Sequence, residues 1–429
     1  MEFLSINDAM KKGSGTVAVR GWCYRQRSSN KFVFIVLRDS SNIIQCVVAK
    51  DEVDEKMWKD ADSVRIEFSL EIEGTIHEDK RAPSGYEIKV QKLNIVSQSE
   101  IFPITKDKSI DFLLDVRHLW LRSREMTNIM KVRNEVVKAC REFFDRHGYY
   151  ETAPPVITGS SCEGGSTQFE IKYFDEKAYL AQSAQLYLEA LIFSLEKVWS
   201  LTPSFRAEPS RTARHLAEYW HCEMEAAWMD FEGLQKFEEE FISFICQSVA
   251  KNSAEQLEAL GRKPSDLLKI KPPFARMSYD DAIKELQKRG MEIQWGEDLR
   301  TNEENALTEK LDKPLIVTRY PKEIKAFYMK EDIDNPKAVL CNDVLAPEGF
   351  GEIIGGSERE TDIESMMNRL KAAGEDPKNY GWYLDLRRYG SVPHSGFGMG
   401  IERIVRWVCK LESIRDAIPF PRTIARKYP

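Results

Sequence analysis

FRAEPSRTARHLAEYW, residues 205–220, sets Arg206, Glu208, Arg211, Arg214, His215 and Glu218 among Phe205, Leu216, Tyr219 and Trp220. Charges beside core-type aromatics are costly to bury unless they are paired or grip a ligand. A guanidinium is planar and permanently charged, and it holds two oxygens of a phosphate or carboxylate at once. Two residues after Arg206, Glu208 falls on the same side if the segment is an extended strand. The pair suits a nucleotide: an arginine for phosphate or carboxylate, a glutamate to accept from an amine. A solvated ladder of salt bridges is the plain alternative, and the aromatic framing weighs against it.

Two further stretches carry chemistry. In GFGMGIERIVRW, residues 396–407, Gly396, Gly398 and Gly400 precede Glu402 and Arg403 at the start of an apolar helix. Glycines there let a backbone pass close to a flat ligand or open a helix. Neither GxGxxG nor GxxxxGK[ST] occurs, so a nucleotide site here belongs to neither dinucleotide-fold nor P-loop type. In FGEIIGGSERE, residues 350–360, Glu352 and Arg359 flank a Gly-Gly turn. A carboxylate near phosphate-gripping arginines fits Mg²⁺, which takes one or two carboxylates plus phosphate oxygens. A hairpin with solvated charges is the rival reading.

Composition bounds the rest. The chain has 429 residues, 42% hydrophobic and 31% charged, an ordinary soluble balance with room for two or three domains. The formal net charge of −7 gives no global nucleic-acid signature, so any such binding rests on local patches. No apolar run reaches membrane-spanning length, and MEFLSINDAMKKG lacks the order of a secretory signal. The eight cysteines form no CxxC pair and do not cluster with the six histidines. They read as reduced thiols of a cytoplasmic protein, neither a disulfide framework nor a zinc site.

Residues 1–100 read as β-rich. TVAVRGWCYRQR, FVFIVLRDSS, NIIQCVVAK, SVRIEFSLEIEGTI and YEIKVQKLNIVS are short β-branched or aromatic runs between turn signals, with one helical stretch near 53–61. Five such strands predict a small closed barrel of the OB type. Residues 101–126, with Pro103 and mixed charge, read as a hinge. From 127 to 429 the pattern is a mixed α+β domain. NIMKVRNEVVKACREFFDRHG has helical spacing, helices follow near 183–197 and 231–261, and a charged insert spans 276–312.

Taken in order, these stretches resemble the three signature motifs of class II aminoacyl-tRNA synthetases. FRAEPSRTARHLAEYW resembles motif 2, GFGMGIER motif 3, and the helix and proline run ending at Ala153-Pro154-Pro155 motif 1, which in that family lies at a homodimer interface. A barrel ahead of the catalytic domain matches the aspartyl, asparaginyl and lysyl subgroup. EGGSTQF, QSAQLYLE, YPKEIKAFYMKED and YGSVPHSGFGMGIER are close to the wording of the asparaginyl family. The resemblance implies an antiparallel sheet flanked by helices, ATP and Mg²⁺, and a two-step attachment of asparagine to tRNA(Asn) through an adenylate. By resemblance, Arg206 holds the α-phosphate and the amino-acid carboxylate, Glu208 meets the adenine side, and Arg214, His215 and Leu216 sit by the triphosphate. Gly400 and Arg403 close the nucleotide site, and Glu352 ligates the metal. Aspartyl members often carry a hydroxyl three residues later, where this chain has Gly355.

The resemblance also bears on specificity. In aspartyl enzymes a lysine of QSPQLxK meets the substrate carboxylate; here that place is Leu188. Arg359 remains for the side-chain oxygen, and Glu225 or Glu223 can accept from a carboxamide and repel a carboxylate. Ser183, Gln185 and Glu163 are implied at the α-amino end. On the barrel, Phe34 matches the base-stacking position and Gln45 the base-reading position for the anticodon. From the residues alone, with Phe32 and Phe34 alternating, Phe34 reads as an ordinary strand core residue; the resemblance reverses that order. Leu188 argues against a non-discriminating aspartyl enzyme, and residues 1–100 against an asparagine synthetase on the same fold. The intact set Arg206, Glu208, Glu352 and Arg403 argues against a non-catalytic paralogue.

Overall fold

The computed structural model describes residues 2–105, 108–159, 162, 167–209, 212 and 214–429. By its internal contacts the chain divides into Met1–Leu114 and Asp115–Pro429.

In the first unit lie β1 (Phe3–Leu4), β2 (Gly15–Ser28), β3 (Phe32–Arg38), β4 (Ile43–Ala49), β5 (Ser69–Glu78) and β6 (Tyr86–Ser97). They pair in the order β1-β2-β3-β4-β6-β5, and β5 also pairs with β2, so β2 to β6 close into a five-stranded barrel. Strand alternation decides what fills it. Val33, Ile35 and Leu37 of β3 and Ile44, Cys46 and Val48 of β4 point into the core. Phe34 and Gln45 therefore fall on the outer face. The expected helix appears as Glu55–Ser63. A short helix over Ile6–Lys12 was not expected. Ser5 caps it by accepting from the Asp8 N–H, left-handed Gly13 ends it, and Ile6 and Ala9 add to the barrel core.

In the second unit the strands are β7 (Tyr150–Glu151), β8 (Ile157–Thr158), β9 (Glu170–Tyr173), β10 (Glu176–Leu180), β11 (Lys197–Phe205), β12 (Glu218–Ala227), β13 (Ala275–Ser278), β14 (Leu315–Thr318), β15 (Cys341–Ala346), β16 (Gly351–Glu358) and β17 (His394–Gly400). Eight form one sheet in the order β13-β14-β15-β16-β17-β12-β11-β7, antiparallel from β14 to β11. The helices Arg124–Arg146 and Phe231–Asn252 pack on it through Phe143, Phe144, Phe237, Phe241 and Phe397. The charged insert packs Tyr279, Leu286 and Leu307 into a second core that it shares with Val317, Tyr320 and Leu345 of the segments after it.

The stretch read as a hinge holds helices Ile110–Asp115 and Arg117–Trp120. Arg117 is almost fully buried there; it donates to the carbonyls of Arg415, Ile418 and Pro419 and pairs with Asp416 at 3.1 Å. All eight cysteines are buried and free. Among the described residues, no helix is long and apolar enough to cross a membrane.

Candidate active site

The site lies on the central strands β16, β17, β12 and β11. On β12, period-2 alternation sends His221, Glu223 and Glu225 to one face, while Cys222, Met224 and Ala226 enter the core. Antiparallel β17 sets Gly400 opposite His221, Gly398 opposite Glu223 and Gly396 opposite Glu225. A Cβ on Gly398 would lie 2.4 Å from His221 Nε2, and one on Gly396 would lie 2.2 Å from the Glu225 carboxylate. Gly396 and Gly398 thus make room for the polar side chains of Glu225 and His221. At Gly400 a Cβ would meet the Arg403 side chain at 3.5 Å or more, an ordinary contact, so that glycine meets no comparable obstacle.

The residues expected to take the nucleotide line a cleft of about 520 Å³, with Arg206, Arg214, His215, Leu216, Glu352 and Arg403 among them. The strand expected to carry Arg206 and Glu208 ends at Phe205. Arg206 lies just beyond, its N–H donating to the Ala217 carbonyl at 3.0 Å and its guanidinium 5.5 Å over the Tyr219 ring. Glu208 stands 3.7 Å from His215 Nε2 and is not among the lining residues. Burial and Arg403 lower the basicity of His215. Arg403, from the helix Ile401–Val408, pairs with Glu352 at 2.8 Å. Burial pushes the Glu352 carboxyl up, but Arg403 and Lys325 outweigh it and hold it at about 2. The insert contributes an unexpected member, Glu304. Its Oε2 accepts from Arg214 Nη2 at 2.6 Å and from the Glu352 N–H at 3.0 Å.

The adjoining hollow, about 690 Å³, shares Arg206, His221, Glu352 and Gly398 with the first. Ser183, Gln185, Glu223, Glu225 and Arg359 line it, as expected, together with Lys325, Tyr328 and Asp343, which sequence reasoning missed. Ser183 Oγ donates to Glu223, whose other oxygen accepts from the Ala184 N–H at 2.9 Å. Arg359 grips Glu225 with both Nε and Nη2 and donates to Ser357 Oγ at 2.6 Å. Burial pushes Glu225 upward against the pull of Arg359. Lys325 Nζ lies 2.8 Å from Asp343 Oδ2. Leu188, the expected discriminator, is fully buried among Ala184, Ile192 and Val198 and does not line the hollow. Glu163 lies outside the described residues.

On the barrel, Phe34 is half-buried on the outer face, with Arg27 stacked 4.4 Å over its ring. Gln45 Nε2 donates to Glu87 Oε2 at 2.7 Å across the parallel β4–β6 pair. The reading of Phe34 as core fails because its neighbours Val33 and Ile35 fill the barrel instead.

The comparisons agree with this geometry. Residues 109–424 match the family model of class II tRNA synthetases (D, K and N), and residues 17–96 that of the OB-fold nucleic acid binding domain. The chain is 54% identical over 413 residues to asparagine–tRNA ligase of Thermococcus gammatolerans, covering 96% of each. It superposes on asparaginyl-tRNA synthetase from Pyrococcus horikoshii complexed with asparaginyl-adenylate with a TM-score of 0.97, at 49% identity and full coverage of both chains. The Entamoeba histolytica asparaginyl-tRNA synthetase in complex with asparaginyl-adenylate gives a TM-score of 0.91 at 33% identity, covering 100% of this chain and 99% of that one. With an OB barrel ahead of a mixed sheet that brings together the arginines of one strand hairpin and of a glycine-led helix, the chain belongs to the class II tRNA synthetases of the D, K and N group.

Proposed function

We propose that this chain is an asparagine–tRNA ligase, using ATP to attach asparagine to tRNA(Asn) through asparaginyl-adenylate, with release of pyrophosphate and then AMP. The observation that carries the reading is the bidentate Arg359–Glu225 pair on the wall of the amino-acid hollow. An arginine donates to the side-chain oxygen of asparagine, and a glutamate beside it accepts from the carboxamide NH₂. Aspartate would set a carboxylate against that glutamate. Sites that hydrogen-bond a specific substrate NH reject analogues lacking it by roughly 10⁴ or more.

Ser183, Glu223 and Gln185 face the α-amino end, a role the resemblance also gives to Glu163. Arg206, shared by both cavities, holds the carboxylate and the α-phosphate in line. Its charge meets the negative charge that builds up as the carboxylate oxygen attacks phosphorus and pyrophosphate departs. Arg214, His215, Leu216, Gly400 and Arg403 receive the rest of ATP, and Glu208 the adenine side. In the second step the terminal ribose hydroxyl takes the aminoacyl group and AMP leaves.

Glu352 fits Mg²⁺. Its carboxyl stays ionised, and one carboxylate with phosphate oxygens and water is an ordinary Mg²⁺ shell. A side chain at Gly355 would start 3.5 Å from Glu352 Oε1 and 3.6 Å from Asp343 Oδ1. Asp343 and Glu352 both line the hollow, Asp343 paired with Lys325 and Glu352 with Arg403; Glu352 is the proposed protein ligand. Bound there with ATP, the ion would neutralise phosphate charge.

Residues 1–100 act as the anticodon-binding domain, 101–126 as the hinge and 127–429 as the catalytic domain. Phe34 stacks on an anticodon base, and Gln45, oriented by Glu87, reads one. Cytoplasmic tRNA charging and a homodimer complete the reading. The edge strand β7, with Tyr150 58% exposed beside Arg141 and Glu151, suits the second copy. The test is ATP–pyrophosphate exchange with asparagine and aspartate offered separately. Exchange with asparagine alone supports the reading, and exchange with aspartate alone overturns it.

A further inference from the structure

Beneath the amino-acid hollow one carboxylate gathers four polar partners. Glu189 lies one turn after Gln185 on the helix Gln185–Leu195, and its side chain is fully buried. It accepts from Gln185 Nε2 at 3.0 Å, the Tyr383 hydroxyl at 2.7 and 2.8 Å and Arg387 Nη2 at 2.6 Å, and it lies 3.0 Å from His394 Nε2. Tyr383 and Arg387 come from the helix Gly381–Arg388, and His394 opens β17.

These partners also hold the backbone around Arg359. The Arg359 N–H donates to the His394 carbonyl at 2.9 Å, and Arg387 Nε donates to the Glu360 carbonyl at 3.0 Å. Gln185 lines the hollow itself. Three elements that shape the substrate side-chain end therefore meet on Glu189. The charges balance in pairs: Glu225 neutralises Arg359, and Glu189 neutralises Arg387, whose side chain is fully buried too. The charge of Glu189 reaches the wall, raising the Glu225 carboxyl and favouring the charged form of Arg359.

We propose that Glu189 is a specificity-determining positioning residue: by neutralising Arg387 beneath the hollow, it denies aspartate a second cation to bind against. The proposal rests on the reading of the hollow as the asparagine site. A buried guanidinium stripped of its carboxylate is left uncompensated and favours any anion that can approach it. Aspartate would supply that anion, and asparagine would not.

The experiment measures ATP–pyrophosphate exchange, as kcat/KM for asparagine and for aspartate, in the full chain and in Glu189→Gln, Arg387→Met and the double variant. The expected result is a fall of about tenfold or more in the asparagine:aspartate ratio for Glu189→Gln, carried by a gain with aspartate. The double variant, with neither charge, returns toward the parent ratio. Equal losses with both amino acids and an unchanged ratio in Glu189→Gln would mean that the carboxylate is only structural, and would overturn the proposal. Should Glu189→Gln fail to fold, Arg387→Met decides. There the unpaired Glu189 carboxylate must lower exchange with aspartate further, and an unchanged ratio refutes the proposal. Absence of asparagine-dependent exchange in the parent chain would instead sink the function itself.

Discussion

Gly398→Ala tests the glycine spacing of β17. The added methyl would start 2.4 Å from His221 Nε2 and 2.8 Å from Cε1, against about 3.5–4.0 Å for carbon contacts at their optimum. The imidazole must therefore retreat by about 1 Å. It has little freedom, since His221 is 8% exposed and its Nδ1 lies 3.3 Å from both Ser204 Oγ and Glu223 Oε2. Glu223 is in turn tied to Ser183 and the Ala184 N–H. The displacement thus passes to Glu223 and Ser183, the proposed α-amino end, and His221 borders both cavities. A misplacement of about 1 Å costs on the order of 10²-fold in rate, about 2.7 kcal/mol of transition-state stabilisation. Overpacking itself costs about 1–3 kcal/mol of stability.

Gly381→Ala is the control. Its Cβ would meet nothing within 4 Å, its φ of −50° suits any residue, and it lines neither cavity. Pyrophosphate exchange with saturating asparagine should fall about a hundredfold in Gly398→Ala and by no more than about threefold in Gly381→Ala. Thermal melting of each variant separates misplacement from unfolding. Near-parent exchange in a folded Gly398→Ala protein, or a comparable loss in Gly381→Ala, would refute the steric reasoning.

Three further outcomes are expected. Arg206→Ala should reduce asparagine-dependent exchange by at least about 10²–10³-fold, the loss typical of removing a group aimed at developing charge; steady-state exchange assays show it directly. Gln45→Ala should raise the KM for tRNA in aminoacylation and leave adenylate formation unchanged, and equal loss in both steps would make the barrel structural only. Acid should erode specificity. Burial pushes Glu225 upward, so a falling pH protonates it before an exposed glutamate near 4.3 would protonate. The protonated group no longer repels aspartate, with Arg359, Glu189 and Glu223 as the charged neighbours. The asparagine:aspartate exchange ratio, measured across pH, should therefore drop on the acid side, and a flat profile would exclude Glu225 from discrimination.

What the sequence disclosed depended on spacing. The barrel strands were readable because period-2 runs sit between turn signals, and the helix Arg124–Arg146 because its apolar stripe is long. The helix Ile6–Lys12 escaped because seven residues give too little periodicity. The arginine and glutamate cluster of residues 206–218, between β11 and the start of β12, was legible as chemistry too costly to bury idly. Glu304, Lys325 and Asp343 were not, since each lies in a segment whose charges look solvated until the sheet folds around it. The glycines of GFGMG were noticed as a place where backbone passes close to a ligand or opens a helix, and Gly398 and Gly400 do line the cavities. Only the β12–β17 register shows that Gly398 and Gly396 vacate space for His221 and Glu225. A single sequence has no means of pairing those strands.

Leu188 marks the boundary between resemblance and geometry. Its position suggested a missing cation at the substrate side chain, yet its side chain is fully buried with Ala184, Ile192 and Val198, outside the hollow. If discrimination depended on that side chain, trimming it would change the choice of amino acid. If it depends on the ion pairs around Arg359, trimming Leu188 would leave the choice alone and only open a void. Leu188→Ala should therefore cost about 2–5 kcal/mol of stability, the usual range for a leucine removed from a packed site. It should hold the asparagine:aspartate exchange ratio within about threefold, since a change well under 1.4 kcal/mol stays short of tenfold. Denaturant titration reads the first quantity and paired exchange assays the second. A stable variant with a collapsed ratio would return Leu188 to the role that resemblance gave it, and would move the source of specificity from Glu225 to the helix behind it.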